Sequence, residues 1–109
     1  MRARVERFTE PAVLLFLREG PKHGYELLER VPELSSEDGH IDLGNLYRLL
    51  RALEAEGLVS SEWEAESGPP RRVYRLTDLG AHLLDGWADS LREIASTVER
   101  FLTLYDSGR

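Results

Sequence analysis

The sequence predicts a mainly α fold with a small β-hairpin: a winged helix-turn-helix followed by a long C-terminal dimerisation helix. Three observations lead there. Leucines recur at helical spacing from Leu46 to Leu53, with arginines on the opposite side. Two strand-like runs follow, separated by Ser67-Gly68-Pro69-Pro70. Large apolar residues then keep a 3-4 spacing from Leu84 to Tyr105.

The first helix is expected to start at a Thr9 cap, with Pro11 in its first turn, where a missing N–H costs nothing. Val13 to Leu17 give it an apolar body, and Gly20-Pro21 ends it. His23 or Gly24 opens a short second helix with Tyr25, Leu27, Leu28 and Val31, and Pro32 marks its end. The polar residues from Leu34 to Ile41 read as a loop around Asp38-Gly39.

Asp42 then caps a third helix, and Gly57 stops it. Leu46, Leu49, Leu50 and Leu53 form its apolar face. Gly44, Arg48, Arg51 and Ala55 lie opposite, with Tyr47 on the border. Leu58 to Glu64 reads as a strand with Val59 and Trp63 on one face. Arg72 to Leu76 is its partner across the Gly-Pro-Pro turn.

Thr77 caps the last helix, and Asp78 suits its positive end. Leu84, Trp87, Leu91, Ile94, Val98, Phe101 and Tyr105 form its seam. At 1.5 Å per residue this helix is roughly 42 Å long, more than a small domain covers. The seam is therefore expected to face a second copy. Leu83, Ala88, Ala95 and Leu102 widen the stripe, which suggests further packing on the helix's own domain. Residues 1–77 thus form the winged unit and 78–109 the dimerisation helix with a short tail. The first few residues and Ser107-Gly108-Arg109 are expected to fray.

Charge gives the functional lead. The chain carries a net −6, yet its only charges from Gly44 to Leu53 are Arg48 and Arg51. From Ser67 to Thr77 they are Arg71, Arg72 and Arg75, with a purely acidic stretch between the two windows. Concentrated positive charge in an acidic chain is what a polyanion binder needs. On this layout the third helix enters the major groove of double-stranded DNA, and the hairpin touches the flanking backbone. Arg75 has an alternative role, pairing with a glutamate across the hairpin.

Other chemistries find little support. The chain has no cysteine, which excludes disulfides, thiol catalysis and cysteine metal sites. His23, His40 and His82 lack metal-ligand spacing. His40, among Glu37, Asp38 and Asp42, reads as a solvated loop residue. No glycine-rich phosphate cradle is present, and no metal or other cofactor is expected. An enzyme is not expected either. No apolar run approaches the ~18 residues of a membrane span, and the N-terminus lacks a secretory pattern, so a cytoplasmic protein is expected.

Four segments together resemble the PadR-type transcriptional regulators. They are Gly20-Pro21-Lys22-His23-Gly24-Tyr25-Glu26-Leu27, Gly44-Asn45-Leu46-Tyr47-Arg48-Leu49-Leu50, Leu53-Glu54-Ala55-Glu56-Gly57-Leu58-Val59 and Pro69 to Thr77. The resemblance covers about residues 11–105 and matches the smaller subfamily, which has a single C-terminal helix. It implies a homodimeric repressor on an inverted-repeat operator, released in several relatives by a small, often aromatic ligand. It places Tyr25 near the DNA backbone, Asn45, Tyr47, Arg48 and Arg51 on or beside the reading helix, and Arg71 and Arg72 on the wing. Tyr25 and Tyr47 could instead pack between helices.

Where relatives often open the reading helix with Ser-Pro-Gly-Thr, this chain has Asp42-Leu43-Gly44-Asn45. Asp42 weakens an anion site at that helix end. Asn45 suits adenine, through its N6 and N7. Some relatives clasp flat ligands between paired tryptophans. Trp87 is the candidate here, about one turn before the position that Leu91 holds, and filling the dimer core is its other role. The competing function is a dimeric protein-interaction or ligand-sensing module without strong DNA binding.

Overall fold

In the computed structural model, residues 8–34, 41–65 and 68–108 are described. The expectations for the loop around Asp38, for His40 with Glu37 and Asp38, for the first residues and for Ser67 and Arg109 lie outside them. Four α-helices, a single 3-10 turn and three strands are present among the described residues. The helices are α1 (Thr9–Arg18), α2 (Gly24–Arg30), α3 (Leu43–Ala55) and α4 (Asp78–Ser107). The strands are β1 (Lys22–His23), β2 (Val59–Glu64) and β3 (Arg71–Leu76).

The winged helix-turn-helix with a long C-terminal helix is thus the observed fold. The hairpin is larger than expected, because β1 adds a third antiparallel strand in the order β1-β3-β2. Lys22 pairs with Tyr74 and His23 with Val73. Two residues carry too short a pattern to announce a strand. The edge of β3 selects them, because its free backbone groups require partners.

Most capping expectations hold. Asp42 accepts the Asn45 amide at 2.7 Å, and His23 forms a reciprocal capping box with Glu26. The first helix differs. Phe8 is its N-cap, with no side-chain hydrogen bond, and Thr9 is already helical. At the other end α4 continues through Ser107, whose hydroxyl donates to the Leu104 carbonyl, so the expected fraying at Ser107 is not observed.

The core lies between α1, α2, α3, the base of the wing and the start of α4. Val13, Leu14, Leu27, Val31, Leu46 and Leu50 are fully buried in it. Leu49 is only partly buried, so the apolar face of α3 narrows to Leu46, Leu50 and Leu53. Arg30 closes one side, its guanidinium 4.4 Å from the centre of the Phe16 ring and paired with Glu19 and Glu33. Its hydrogen bond to Glu19 holds that carboxyl below its ordinary pKa.

Helix α4 divides into two parts. Gly80 and Leu84 are buried, and Trp87 and Leu91 are partly buried. Every residue from Arg92 to Gly108 is exposed, and the molecule measures 62 × 28 × 20 Å. The helix packs on its own domain as expected, but only over its first half: Ala88 is partly buried, whereas Leu83, Ala95 and Leu102 face solvent, because the domain ends before the helix does.

A close backbone approach helps fix where α4 leaves the domain. A Cβ at Gly80 would lie 2.1 Å from the Leu58 carbonyl oxygen, a backbone atom that cannot move aside. Gly86, six residues on, faces open space. Gly80→Ala should therefore lower stability by about 1–3 kcal/mol or more. Gly86→Ala should raise it by up to about 1 kcal/mol, the helix-propensity difference. Urea unfolding midpoints of the two variants, moving in opposite directions, check this.

Candidate nucleic-acid interface and cleft

The outer face of α3 carries Asn45, Arg48 and Arg51, all exposed. Arg48 and Arg51 make no ion pair among the described residues, so their guanidinium groups are available to a partner. Asn45 is held at the helix start. Its Nδ2 donates to Asp42 Oδ2 at 3.1 Å, leaving one amide hydrogen and the carbonyl oxygen free. This retains the donor and acceptor that adenine recognition uses.

Tyr47 occupies a different place from the arginines. It is partly buried against the core, and its hydroxyl lies where a Cβ at Gly24 would be, at 2.7 Å. Glycine at position 24 thus lets Tyr47 pack across the start of α2. Tyr25, on α2, is 59% exposed, so it stands out from the core.

The wing arginines have separate environments. Arg72 donates from Nη1 to Ser61 Oγ at 2.6 Å, and that hydroxyl donates to Glu54 at 2.7 Å. The Arg72 guanidinium also lies 4.8 Å from the centre of the Trp63 ring, its direct register partner. Glu54 belongs to α3, Ser61 to β2 and Arg72 to β3. The chain Glu54–Ser61–Arg72 therefore braces the wing against α3. Arg75 pairs with Glu62 at 3.2 Å, its alternative role in the sequence.

Arg71 is exposed near the start of α2, with Nη1 3.1 Å from His23 Nε2. The tautomer decides what that contact is. His23 Nδ1 accepts the Glu26 amide, so in the neutral ring the proton sits on Nε2, which faces Glu26 Oε1 at 3.1 Å. Whichever ring nitrogen carries the proton, this contact uses at most one of the five Arg71 N–H donors. Its guanidinium remains available for an anion.

Between α3, the start of α2 and the wing lies a cleft of about 990 Å³. Tyr25, Tyr47, Trp63 and Tyr74 give it aromatic walls, and Arg51, Arg71 and Arg72 give it positive charge. Burial raises the Tyr74 phenol above its ordinary pKa, so it stays a neutral hydroxyl at neutral pH. Sequence reasoning missed Glu54, Ser61, Trp63 and Tyr74 as members of this site. The alternation Val59, Ser61, Trp63 was visible, but the register that sets Trp63 opposite Arg72 was not.

Other expected residues lie elsewhere. His82 is exposed on α4, and Trp87 rests partly buried on its own core, away from this cleft. No group of His, Asp and Glu suited to a metal is present among the described residues. No helix among them is long and apolar enough to cross a membrane.

Comparison with known proteins agrees with this architecture. Residues 13–85 match the family model described as the transcriptional regulator PadR-like family. The transcriptional regulator Rv3488 of Mycobacterium tuberculosis is 41% identical over 66 residues, 61% of this chain and 62% of that protein. Among solved structures, a PadR family transcription regulator from Clostridium difficile R20291 superposes with a TM-score of 0.78 at 27% identity. That match covers 87% of this chain and 98% of the other. TM0937, a conserved protein of unknown function described as a potential transcriptional factor, gives 0.78 at 36% identity over 93% and 91%. The family and the named regulators are transcriptional regulators, not enzymes.

The wing brace has a measurable weight. Ser61→Ala removes the hydroxyl shared by Glu54 and Arg72 and should cost about 1 kcal/mol. Combined with Glu54→Gln, the losses should fall short of additive by about 0.5–1 kcal/mol, since both act on one network. Denaturant titration of the two single variants and the double variant reads this coupling directly.

Proposed function

The chain belongs to the PadR-like family of transcriptional regulators, and from that premise we propose that it is a homodimeric, sequence-specific DNA-binding repressor. One observation carries the DNA reading. Asn45, Arg48 and Arg51 share the exposed face of α3, with both arginines free of ion pairs among the described residues, and Arg51 lines one cleft with Arg71 of the wing. In an acidic protein this places cations without internal partners on one surface, as a phosphate backbone requires.

In this reading α3 enters the major groove. Asn45 and Arg48 meet base edges, while Tyr25, Arg51 and Arg71 hold the backbone. Tyr47 supports α3 from beneath, and Arg72 sets the wing's angle while its remaining donors face phosphate. Occupation of a promoter by the dimer excludes polymerase, which makes the regulator a repressor working in the cytoplasm.

The dimer reading rests on α4. Ile94, Val98, Phe101 and Tyr105 are each more than half exposed, and they extend the line begun by Leu84, Trp87 and Leu91. An apolar row of this length in water calls for a partner. A second copy supplies the same seam, and its two-fold axis gives two α3 helices for the halves of an inverted repeat.

Titration against a duplex selected from a random pool, and against a scrambled duplex, tests the DNA reading. Arg71→Ala should weaken both equally and lower the slope of log K against log salt by about 0.9 per lost contact. Asn45→Ala or Arg48→Ala should reduce discrimination by about 1–3 kcal/mol at one position per half-site. Absence of salt-dependent duplex binding by the unmodified protein would refute the proposal.

Assembly has its own test. Val98 is exposed in the single chain, so Val98→Glu should leave the fold intact. It should place charge in the dimer seam and yield monomers by sedimentation. An unmodified protein already monomeric at micromolar concentration would remove the dimer and the inverted repeat together.

A further inference from the structure

We propose that the cleft between α3 and the wing binds a free nucleotide, with its base stacked among the cleft's aromatic side chains and its phosphate on Arg51 and Arg71. The walls supply both halves of that chemistry. Trp63 is 64% exposed and Tyr25 59%, although each lines a concave surface. Arg72 lies 4.8 Å from the centre of the Trp63 ring and holds it upright, yet leaves most of it open. Solvent-facing rings in a cleft are stacking platforms, and every nucleobase has a face to stack.

The charged groups of the cleft differ in exposure: Glu54 is half-buried, whereas Arg51 and Arg71 are exposed. Glu54 lies in the cleft and takes the Ser61 hydroxyl on both carboxylate oxygens, at 2.9 and 2.7 Å. Each oxygen keeps a second lone pair for a ligand's N–H. The same carboxylate repels phosphate, so the anionic end belongs on Arg71 and Arg51. Arg71 is suited to it, because it is exposed and its contact with His23 uses at most one of its five donors. A base with adjacent N–H donors fits best, and guanine has two.

Size narrows the class. The volume of about 990 Å³ lies near the top of the roughly 300–1,000 Å³ range for small-molecule sites. A single-ring acid leaves most of it empty, whereas a guanine nucleotide or a linked pair fills far more. The occupied cleft would shut out the DNA strand that runs between α3 and the wing. That competition rests on the proposed DNA reading. The binding itself does not.

The test uses the full chain labelled with ¹⁵N. Its two indole N–H resonances are assigned with Trp63→Phe and Trp87→Phe. The probes are GMP, the dinucleotide pGpG, benzoate and inorganic phosphate. We expect GMP and pGpG to shift the Trp63 indole below millimolar concentration, with benzoate and phosphate at least tenfold weaker. Trp63→Ala and Arg71→Ala should each weaken pGpG at least tenfold while circular dichroism stays unchanged, since both side chains are exposed. In a parallel titration, pGpG should displace a fluorescent duplex.

Equal shifts from phosphate alone would reduce the cleft to an anion patch and overturn the proposal. Equal binding of benzoate would make it a general aromatic-acid site and would likewise overturn it. A response at Trp87 in place of Trp63 would move the ligand to the α4 seam, which is equally fatal to the nucleotide site. Duplex binding without any nucleotide shift sinks the nucleotide site and leaves the DNA reading standing. Nucleotide binding at Trp63 without duplex binding does the reverse.

Discussion

Thr77 is the point on which the remaining architecture depends. Its amide donates to the Leu58 carbonyl at 3.2 Å, and its hydroxyl donates to the Gly57 carbonyl at 2.7 Å. The same oxygen accepts the Gly80 amide at 3.0 Å and so caps α4. One residue thereby joins the end of α3, the base of both main wing strands and the start of the last helix. Gly57 makes the turn at φ +78°, and the Leu58 amide returns to the Leu53 carbonyl. Gly80 lets α4 approach the Leu58 carbonyl without a Cβ between them. The angle between the arginine face of α3 and the exposed line on α4 is set at this junction.

The acidic character of the chain and the basic character of one surface are compatible because they occupy different places. Glu19, Glu26, Glu33 and Glu62 face positively charged or ionisable side chains within the fold. Arg48 and Arg51 on α3 have no such pairing among the described residues. Exposed ion pairs add little to stability. Their effect here is on where uncompensated charge remains. With Arg30 and Arg75 paired internally, Arg48 and Arg51 on α3 remain as uncompensated cations, where a polyanion would be steered.

Much of this was legible in the sequence. The 3-4 leucine spacing of α3, the Asp42 and Thr77 caps, and the Gly57 stop are local signals, and each formed as the residues dictated. The long helix was also local, because its heptad pattern needs no partner to be read. Two features were not legible. Strand β1 exists only because β3 offers an unpaired edge. Phe8 displaced Thr9 as the first cap, since a helix boundary shifts by a residue at little cost. That α4 outruns its domain was legible from its length, and the structure added only that the packing ends near Leu91.

The candidate site divides along the same line. Sequence alone determined that Arg48 and Arg51 share the polar side of one helix, because 3.6 residues per turn requires it. It also determined that Arg71 and Arg72 follow the turn. Tertiary structure decided what those arginines do: Arg72 is drawn into a brace by Ser61 and Glu54, while Arg71 stays exposed beside His23 with most of its donors open. It also decided that Trp63 and Tyr25, 38 positions apart in the chain, wall one cleft. Helical periodicity acts within a few residues and can be counted. Strand register and the meeting of α2, α3 and the wing depend on the packing of the whole core, which no local pattern encodes.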